Sequence, residues 1–406
     1  MQVQLSRKER MNLTSELPFW TVKNGLISVY PPLDRDLRCE ALIVGGGITG
    51  ALLAHELVKK GVKSVLIDQR DIGHGSTSAS TALLQYEIDT PLYKLRKLVA
   101  PAAADRAYLL GVEAIDQLRK LSGKDCGFAL RPSLQIARTE SDLAGLRKEL
   151  AARRELKLPI AMLERGDLRK LGMDGAGALR SGVAAEVDPY RLTHHLLQRA
   201  SKRGLEVFDR TAAHRYLHTR TGVTVHTDRG PKIRCRTLFF ATGYETKDIL
   251  SGKIVTIKST YAFISEPFPS LDWWKNRSLI WGTGDVYSYM RTTSDKRVLV
   301  GGADDTVLNS ARRDRQIAAK TAQLLRCFHD VFPAIQIEPA FGWAGGFGST
   351  KDGLAYIGPH PGFPHAYFAL GFGGNGITFS QIAARLLTDL FLGKKNPDEA
   401  VFRFQR

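Results

Sequence analysis

Residues 39–68, CEALIVGGGITGALLAHELVKKGVKSVLID, carry the most specific chemistry in the chain. A short apolar run, Ala41–Val44, leads into Gly45, Gly47 and Gly50 in G-x-G-x-x-G spacing. A helical pattern beginning at Ile48 and Thr49 follows and stops at Gly61, and a second apolar run, Val65–Ile67, ends on Asp68 and Gln69. Each glycine has its own task in holding a dinucleotide. The first permits the tight turn, the second lets a pyrophosphate approach the backbone, and the third lets helix pack on strand. The free N–H groups at the helix start, with the helix dipole, suit phosphate charge. Asp68, 18 residues beyond Gly50, is placed to accept hydrogen bonds from a ribose diol. The motif alone does not separate FAD from NAD, and a βαβ unit with an ordinary turn is the plainer alternative.

Directly after Asp68 the chain reads RDIGHGSTSASTALL, with Gly75, Ser76, Thr77, Ser78, Ser80 and Thr81 all small and mostly hydroxylated. Such a loop lets a flat or charged group approach the backbone and donates to phosphate; otherwise it is a flexible linker. A second cluster lies at Val286–Arg291, where strand periodicity puts Tyr287, Tyr289 and Arg291 on one face. Two aromatic walls and one cation make a substrate pocket, with Arg291 as an anchor for an acidic group; the alternative is a half-exposed strand. Tyr261 is a similar candidate, and Trp343 is either beside a cofactor or in the core. His194 and His195 are adjacent on a helix and point to different faces, so no metal set is expected.

These groups need a scaffold, and the pattern supplies one. Helical periodicity runs over Leu92–Leu121, Ser141–Leu156, Tyr190–Lys202, Asp314–His329 and Ile377–Leu392. Strand signals fall at Phe128–Ala137, Leu205–Phe208, Val223–Thr227, Thr237–Phe240, Thr256–Ser265, Leu279–Trp281, Arg297–Val300 and Tyr367–Leu370. The strand at 237–240 runs into Ala241, Thr242 and Gly243, and the one at 367–370 into Gly371–Gly376. Residues 1–37 read as an extended arm with prolines and aromatics. There are no internal repeats.

The 406-residue length allows two domains with ample core. The hydrophobic share of 43% and the charged share of 24% are globular values. The N-terminus has charge but no apolar run behind it, which argues against a signal peptide. Four scattered cysteines without C-x-x-C spacing fit reduced thiols in a cytoplasmic protein. The chain has 58 Lys and Arg against 41 Asp and Glu, a net charge of +17. That balance leaves open an anionic surface or substrate, but the basic clusters are short, at residues 7–10, 147–154 and 312–315, and read as solvated faces or a tail. No nucleic-acid partner is expected.

Taken in order, these pieces resemble the D-amino-acid-oxidase-like (DAO) family of FAD-dependent oxidoreductases. The resemblance is carried by Val44–Gly50, Asp68, Gly75–Ser80, Asp188-Pro189-Tyr190-Arg191-Leu192, Ala241-Thr242-Gly243, Thr350-Lys351-Asp352-Gly353-Leu354, Ile357-Gly358 and Gly371–Gly376. The arm with Pro18-Phe19-Trp20 looks most like the gamma-glutamylputrescine-oxidase-like branch, which oxidises amines. The resemblance implies an α/β fold: a Rossmann-like FAD domain (38–90, 181–252 and 340–406) with an inserted substrate domain of mixed or antiparallel sheet (91–180 and 253–339). It implies that Gly45, Gly47 and Gly50 hold the pyrophosphate, Asp68 the ribose, and Ala213 meets the adenine. It places Gly75–Thr81 along the pyrophosphate and flavin, Ala241–Gly243, Gly345 and Gly346 also around the cofactor, and Gly373, Gly374, Asn375, Gly376 and Ile377 beside the flavin pyrimidine.

The chain departs from its relatives in ways that bear on substrate. Members acting on free amino acids commonly carry an arginine just ahead of T-x-D-G, where it forks onto the carboxylate; here Phe347 stands near that place. Ala79 and Gly345–Gly348 offer no side chain for a covalent flavin link, so FAD is expected to be non-covalent. The reading is an enzyme that oxidises a CH–NH group of an amine or N-substituted amino acid by hydride transfer to flavin, with oxygen or a quinone as acceptor. Its rivals are a membrane-peripheral quinone-linked dehydrogenase of the same family acting on amino or 2-hydroxy acids, a flavoprotein acting on RNA, and a subunit whose partner carries the chemistry. No transmembrane segment is expected, and the oligomeric state is open.

Overall fold

The computed structural model describes residues 2–4, 14 and 15, 17–250, 254–283 and 286–406. The basic cluster expected as a tail at residues 7–10 lies outside them. The apolar run ending at Val44 is the buried end of β1, Leu37–Val44. α1, Ile48–Lys59, crosses over to β2, Ser64–Ile67, which pairs parallel with β1 from Ala41 opposite Ser64 to Val44 opposite Ile67. Both strand ends are apolar throughout because helices cover the sheet. α1 is buried on nearly every side, packed between α2, Pro189–Ser201, and α3, Gly376–Phe391.

On its other edge β1 pairs parallel with β3, Lys232–Phe240. β3 changes partner along its length. Its first half pairs antiparallel with Val223–Thr227, its second half parallel with Ala366–Leu370. Glu206–Phe208 adds parallel to β2. Strands from three distant stretches of chain therefore end side by side, at the carboxyl edge where open α/β sheets bind ligands.

A second sheet of nine strands stands against this layer. Its centre is β4, Thr256–Ser265, β5, Ser288–Thr292, β6, Val298–Asp305, and β7, Pro339–Ser349, ordered β7–β4–β6–β5 and antiparallel throughout. The helix Ile317–Val331 packs on β4, β6 and β7. A small sheet of Leu83–Gln85, Ala184–Glu186 and Ala129–Leu130 joins the two layers.

Several elements differ from the sequence reading for identifiable reasons. The helix expected over 92–121 is two helices, Leu92–Leu98 and Pro101–Leu121, because Pro101 disfavours helical backbone in the residue before it. The strand expected over 128–137 splits at Pro132 for want of a donor. Residues 340–349, at the head of the third expected nucleotide segment, pair with β4, and the helix Pro101–Leu121, in the expected substrate part, packs on α3. The arm contains a short helix, Phe19–Asn24, whose Trp20 is buried and donates from Nε1 to Ser80 O at 2.7 Å. Among the described residues no helix is long and apolar enough to cross a membrane.

One buried charge system ties the Glu140–Glu155 helix to the body. The Glu149 carboxylate accepts from the backbone N–H groups of Leu92 (3.0 Å) and Tyr93 (3.2 Å), two of the orphan donors at that helix start. Arg153 Nε donates to Glu149 at 2.6 Å, and its guanidinium also lies 3.5 Å from Glu87. All three side chains are almost wholly out of water. Replacing Arg153 with Ala leaves Glu149 and Glu87 buried without the cation they share. The expected loss is about 3–5 kcal/mol, read as a lower urea midpoint, with Glu149→Gln losing less.

Candidate active site

The turn after β1 is shaped by backbone contact. Gly45 has φ +114°, and a Cβ there would drive into the Ala241 carbonyl at the end of β3. A Cβ on Gly50 would overlap the Gly45 carbonyl, and one on Gly47 would meet Thr77 Oγ1 at 2.9 Å. The helix and the three strand ends thus close around bare backbone. Thr77 Oγ1 accepts from Ile48 N at 3.0 Å, fastening the hydroxyl loop to the start of α1. Thr49 Oγ1 lies 2.7 Å from Ser380 Oγ, fastening α1 to α3.

A cavity of about 1070 Å³ opens on this turn. It is at the large end of small-molecule sites, which span about 300–1,000 Å³, so it has room for an extended dinucleotide. Gly45, Gly47, Ile48, Thr49, Asp68, Gln69, Gly75, Ser76, Thr77, Ser80, Thr81, Ala213, Ala241, Thr242, Gly243, Gly345, Gly346, Gly373, Gly374, Gly376 and Ile377 all line it. Gly50 and Ser78 do not: Gly50 packs under the turn, and Ser78 Oγ bonds Gly75 O at 3.0 Å. Asn375 lies behind the wall as well. Its amide donates to Gln85 O (3.1 Å) and Glu87 O (2.8 Å), which orients the start of α3.

Asp68 accepts from Gly46 N at 2.6 Å and Arg70 N at 2.8 Å, one on each carboxylate oxygen. Burial pushes its carboxyl up to about 6 despite those donors. Beyond it, Gln69 Nε2 and Arg70 both bond Glu245, the latter at 2.7 Å. Those contacts clasp the loop after β2 to the turn after β3. The sequence reading missed Glu245, and only the pairing of the two loops would have found it. It also missed Asp89, which accepts from Gly374 N at 3.0 Å at the entrance to α3.

Of the four residues proposed for catalysis, the structure brings two to the cavity. Tyr287 and Tyr289 line it, with ring centroids 5.7 Å apart; Tyr287 is 40% exposed, and burial raises the Tyr289 phenol. Thr260 Oγ1 lies 3.2 Å from the Tyr289 hydroxyl. Arg291 is not in the wall. It is 3% exposed, donates to the carbonyls of Ala82 (2.7 Å) and Val187 (3.1 Å), and stands 3.6 Å from Glu186. β5 passes out of the cavity at that point, so Arg291 braces the small sheet under Trp20. Tyr261 also lies elsewhere: its hydroxyl bonds Asp305 and Gln316, each at 3.0 Å, on the far face of β4. Trp343 is core, and its Nε1 holds Ala79 O at 2.9 Å behind the hydroxyl loop. His74 pairs with Tyr190, and among the described residues no group of His, Cys, Asp or Glu is placed to hold a metal.

The family model for FAD-dependent oxidoreductases of the DAO type matches residues 40–390. The chain belongs to the DAO family. Glycine oxidase of Geobacillus kaustophilus is 24% identical over 386 residues, covering 91% of this chain and 97% of that protein. Gamma-glutamylputrescine oxidoreductase of Escherichia coli is 24% identical over 385 residues, covering 90% and 86%. The crystal structure of the Geobacillus kaustophilus glycine oxidase superposes with a TM-score of 0.74 at 22% identity, over 91% of this chain and 99% of that one. Like other members of the DAO family, the protein is an FAD-dependent oxidoreductase. A glycine turn with no room for a Cβ at Gly45, facing a carboxylate at the end of β2, fits that cofactor.

Two outcomes check this geometry. Asp68→Asn tests the expected ribose contact: with that contact, FAD affinity falls at least about tenfold, measured by flavin fluorescence on dilution. Stability should move the other way with pH. The folded carboxyl titrates near 6, above its unfolded value of about 3.9, so between those limits the native state binds the extra proton. Lowering pH from 7 to 4.5 should therefore shift apoprotein stability in favour of wild type relative to Asp68→Asn. Arg291→Ala should lower the denaturation midpoint, because the buried Ala82 and Val187 carbonyls lose their donor and Glu186 keeps only Arg131, rather than act through substrate affinity.

Proposed function

We propose that this enzyme oxidises a CH–NH group of an amine to an imine, which water then hydrolyses. In this reading Gly45, Gly47, Ile48, Thr49 and the hydroxyl loop hold the FAD pyrophosphate, and Asp68 holds its ribose. The start of α3, from Gly373 to Ile377, faces the flavin, where N–H groups and helix dipole favour developing negative charge. FAD, when bound, accepts the two electrons and the hydrogen removed from carbon.

The observation that carries the amine reading is the composition of the chamber beyond the cradle. Tyr287, Tyr289, Trp281, Phe347 and Thr260 wall it, and Arg70, committed to Glu245, is the one arginine lining the cavity among the described residues. A free amino acid would find no guanidinium fork for its carboxylate. The rings exclude water and hold the C–H in place, and positioning supplies much of the rate. Free alkylammonium groups have a pKa near that of lysine, about 10.4, and oxidation requires the neutral amine. We read the acceptor as oxygen or a quinone, the substrate as a small amine, and the compartment as cytoplasmic, in keeping with four free cysteines.

Anaerobic mixing should bleach the flavin with primary or N-alkyl amines, and kcat/KM should rise with pH as the amine deprotonates. Bleaching by 2-hydroxy acids alone would overturn the assignment. Oxygen uptake against turnover only with a quinone decides the acceptor.

A further inference from the structure

β6 carries an irregularity that bears on substrate. Opposite β4 the register places Tyr261 against Gly302 and Ser259 against Asp305. One residue of β4, Thr260, therefore faces two of β6, Ala303 and Asp304, which is a β-bulge. The backbone is forced to make it: Gly302 has φ +130° and Ala303, which has a side chain, φ +53°. A left-handed alanine is unfavourable and persists where the surroundings impose it, commonly beside functional sites.

The bulge separates two neighbouring acids. Asp305 is satisfied behind the sheet, where Tyr261 donates to it at 3.0 Å and Lys320 lies 3.3 Å away. Asp304 lines the cavity with Tyr287, Tyr289 and Thr260. Its Oδ1 is buried and has no hydrogen-bond partner among the described residues. The charged groups at this end are Asp304, Asp89 and Lys258, two carboxylates against one lysine. Burial and the Asp89 charge push the Asp304 carboxyl up, while the Thr260 hydroxyl and Lys258 pull it back. An incoming cation would meet Asp304 at the cavity wall and offset the acidic excess there, in the space that Tyr287 and Tyr289 also line.

We propose that Asp304 anchors a second, positively charged nitrogen of the substrate, so that the enzyme prefers diamines and longer polyamines over simple alkylamines and amino acids. The proposal rests on the amine-oxidation reading. The reacting nitrogen is the neutral one; the anchored nitrogen stays protonated and forms a charge-assisted hydrogen bond to Asp304.

The test compares linear α,ω-diamines with n-alkylamines of matched chain length on the FAD-loaded enzyme. KM for the diamines should be lower by about tenfold or more, the size of one charge-assisted bond. Asp304→Asn should close that gap through KM rather than kcat, and Asp304→Glu should keep most of it. Flavin absorbance per protein, unchanged between variants, separates loss of the anchor from loss of the fold. tert-Butylammonium, which has N–H donors but no C–H beside its nitrogen to oxidise, should perturb the wild-type flavin spectrum and compete with diamines, and should do neither with Asp304→Asn. If n-alkylamines match diamines, or Asp304→Asn preserves the gap, the anchor is wrong while amine oxidation stands. If no amine bleaches the flavin, the amine reading itself fails.

Discussion

The structure depends on the contact between the turn after β1 and the end of β3. Gly45 lies so close to the Ala241 carbonyl, and Gly50 to the Gly45 carbonyl, that no side chain fits at either place. Backbone meeting backbone at that distance lets β1, β2 and β3 end level and lets α1 start directly over the gap. The hydroxyls of Thr77 and Thr49 then fasten the loop after β2 and the helix α3 to the same point. A cradle of this kind is rigid because its parts come from distant stretches of chain and each is held by the others, which is the preorganisation an electron-transferring site needs.

That origin explains what was legible in the sequence. The glycine turn, Asp68, the hydroxyl loop and the glycine run before α3 are local backbone requirements, and local requirements leave residue types at fixed spacing. The family's order of motifs was readable for the same reason. Side chains whose roles depend on where a strand leaves the cavity were not. Tyr287, Tyr289 and Arg291 have the alternation of one strand face, and the first two do share the cavity wall. Two residues further on, however, the wall has ended, and Arg291 meets Glu186 and the carbonyls under Trp20 instead. Tyr261 missed because it sits on the opposite face of β4. Glu245 and Asp89 act across loops that only the folded chain brings together.

Charge shows the same division between what composition reports and what the site uses. The chain is strongly basic, yet much of its buried positive charge is spoken for internally. Arg153 is held by Glu149, Arg291 stands beside Glu186, and Arg70 is tied to Glu245. A buried ion pair adds little net stability over a well-packed apolar core, but losing one partner is expensive. Such pairs are best understood here as fixing orientation: Glu149 caps a helix, Arg291 braces the small joining sheet, and Glu245 clasps two cavity loops. The net charge of +17 therefore describes the exterior and says little about the chamber.

Within the chamber the sign is reversed, and the reversal has a structural origin. A regular strand alternates sides, so consecutive residues 304 and 305 would in any case face apart. Without the extra residue at the bulge, their assignment to the two faces would exchange. Asp305 would then enter the cavity and lose Tyr261 and Lys320, while Asp304 would be turned away from the two tyrosines. The strained φ of Ala303 is thus tied to which acid faces the substrate space and which stays locked in the sheet. Strain of this kind, set beside a cavity wall, persists where a site needs one particular side chain to face its ligand.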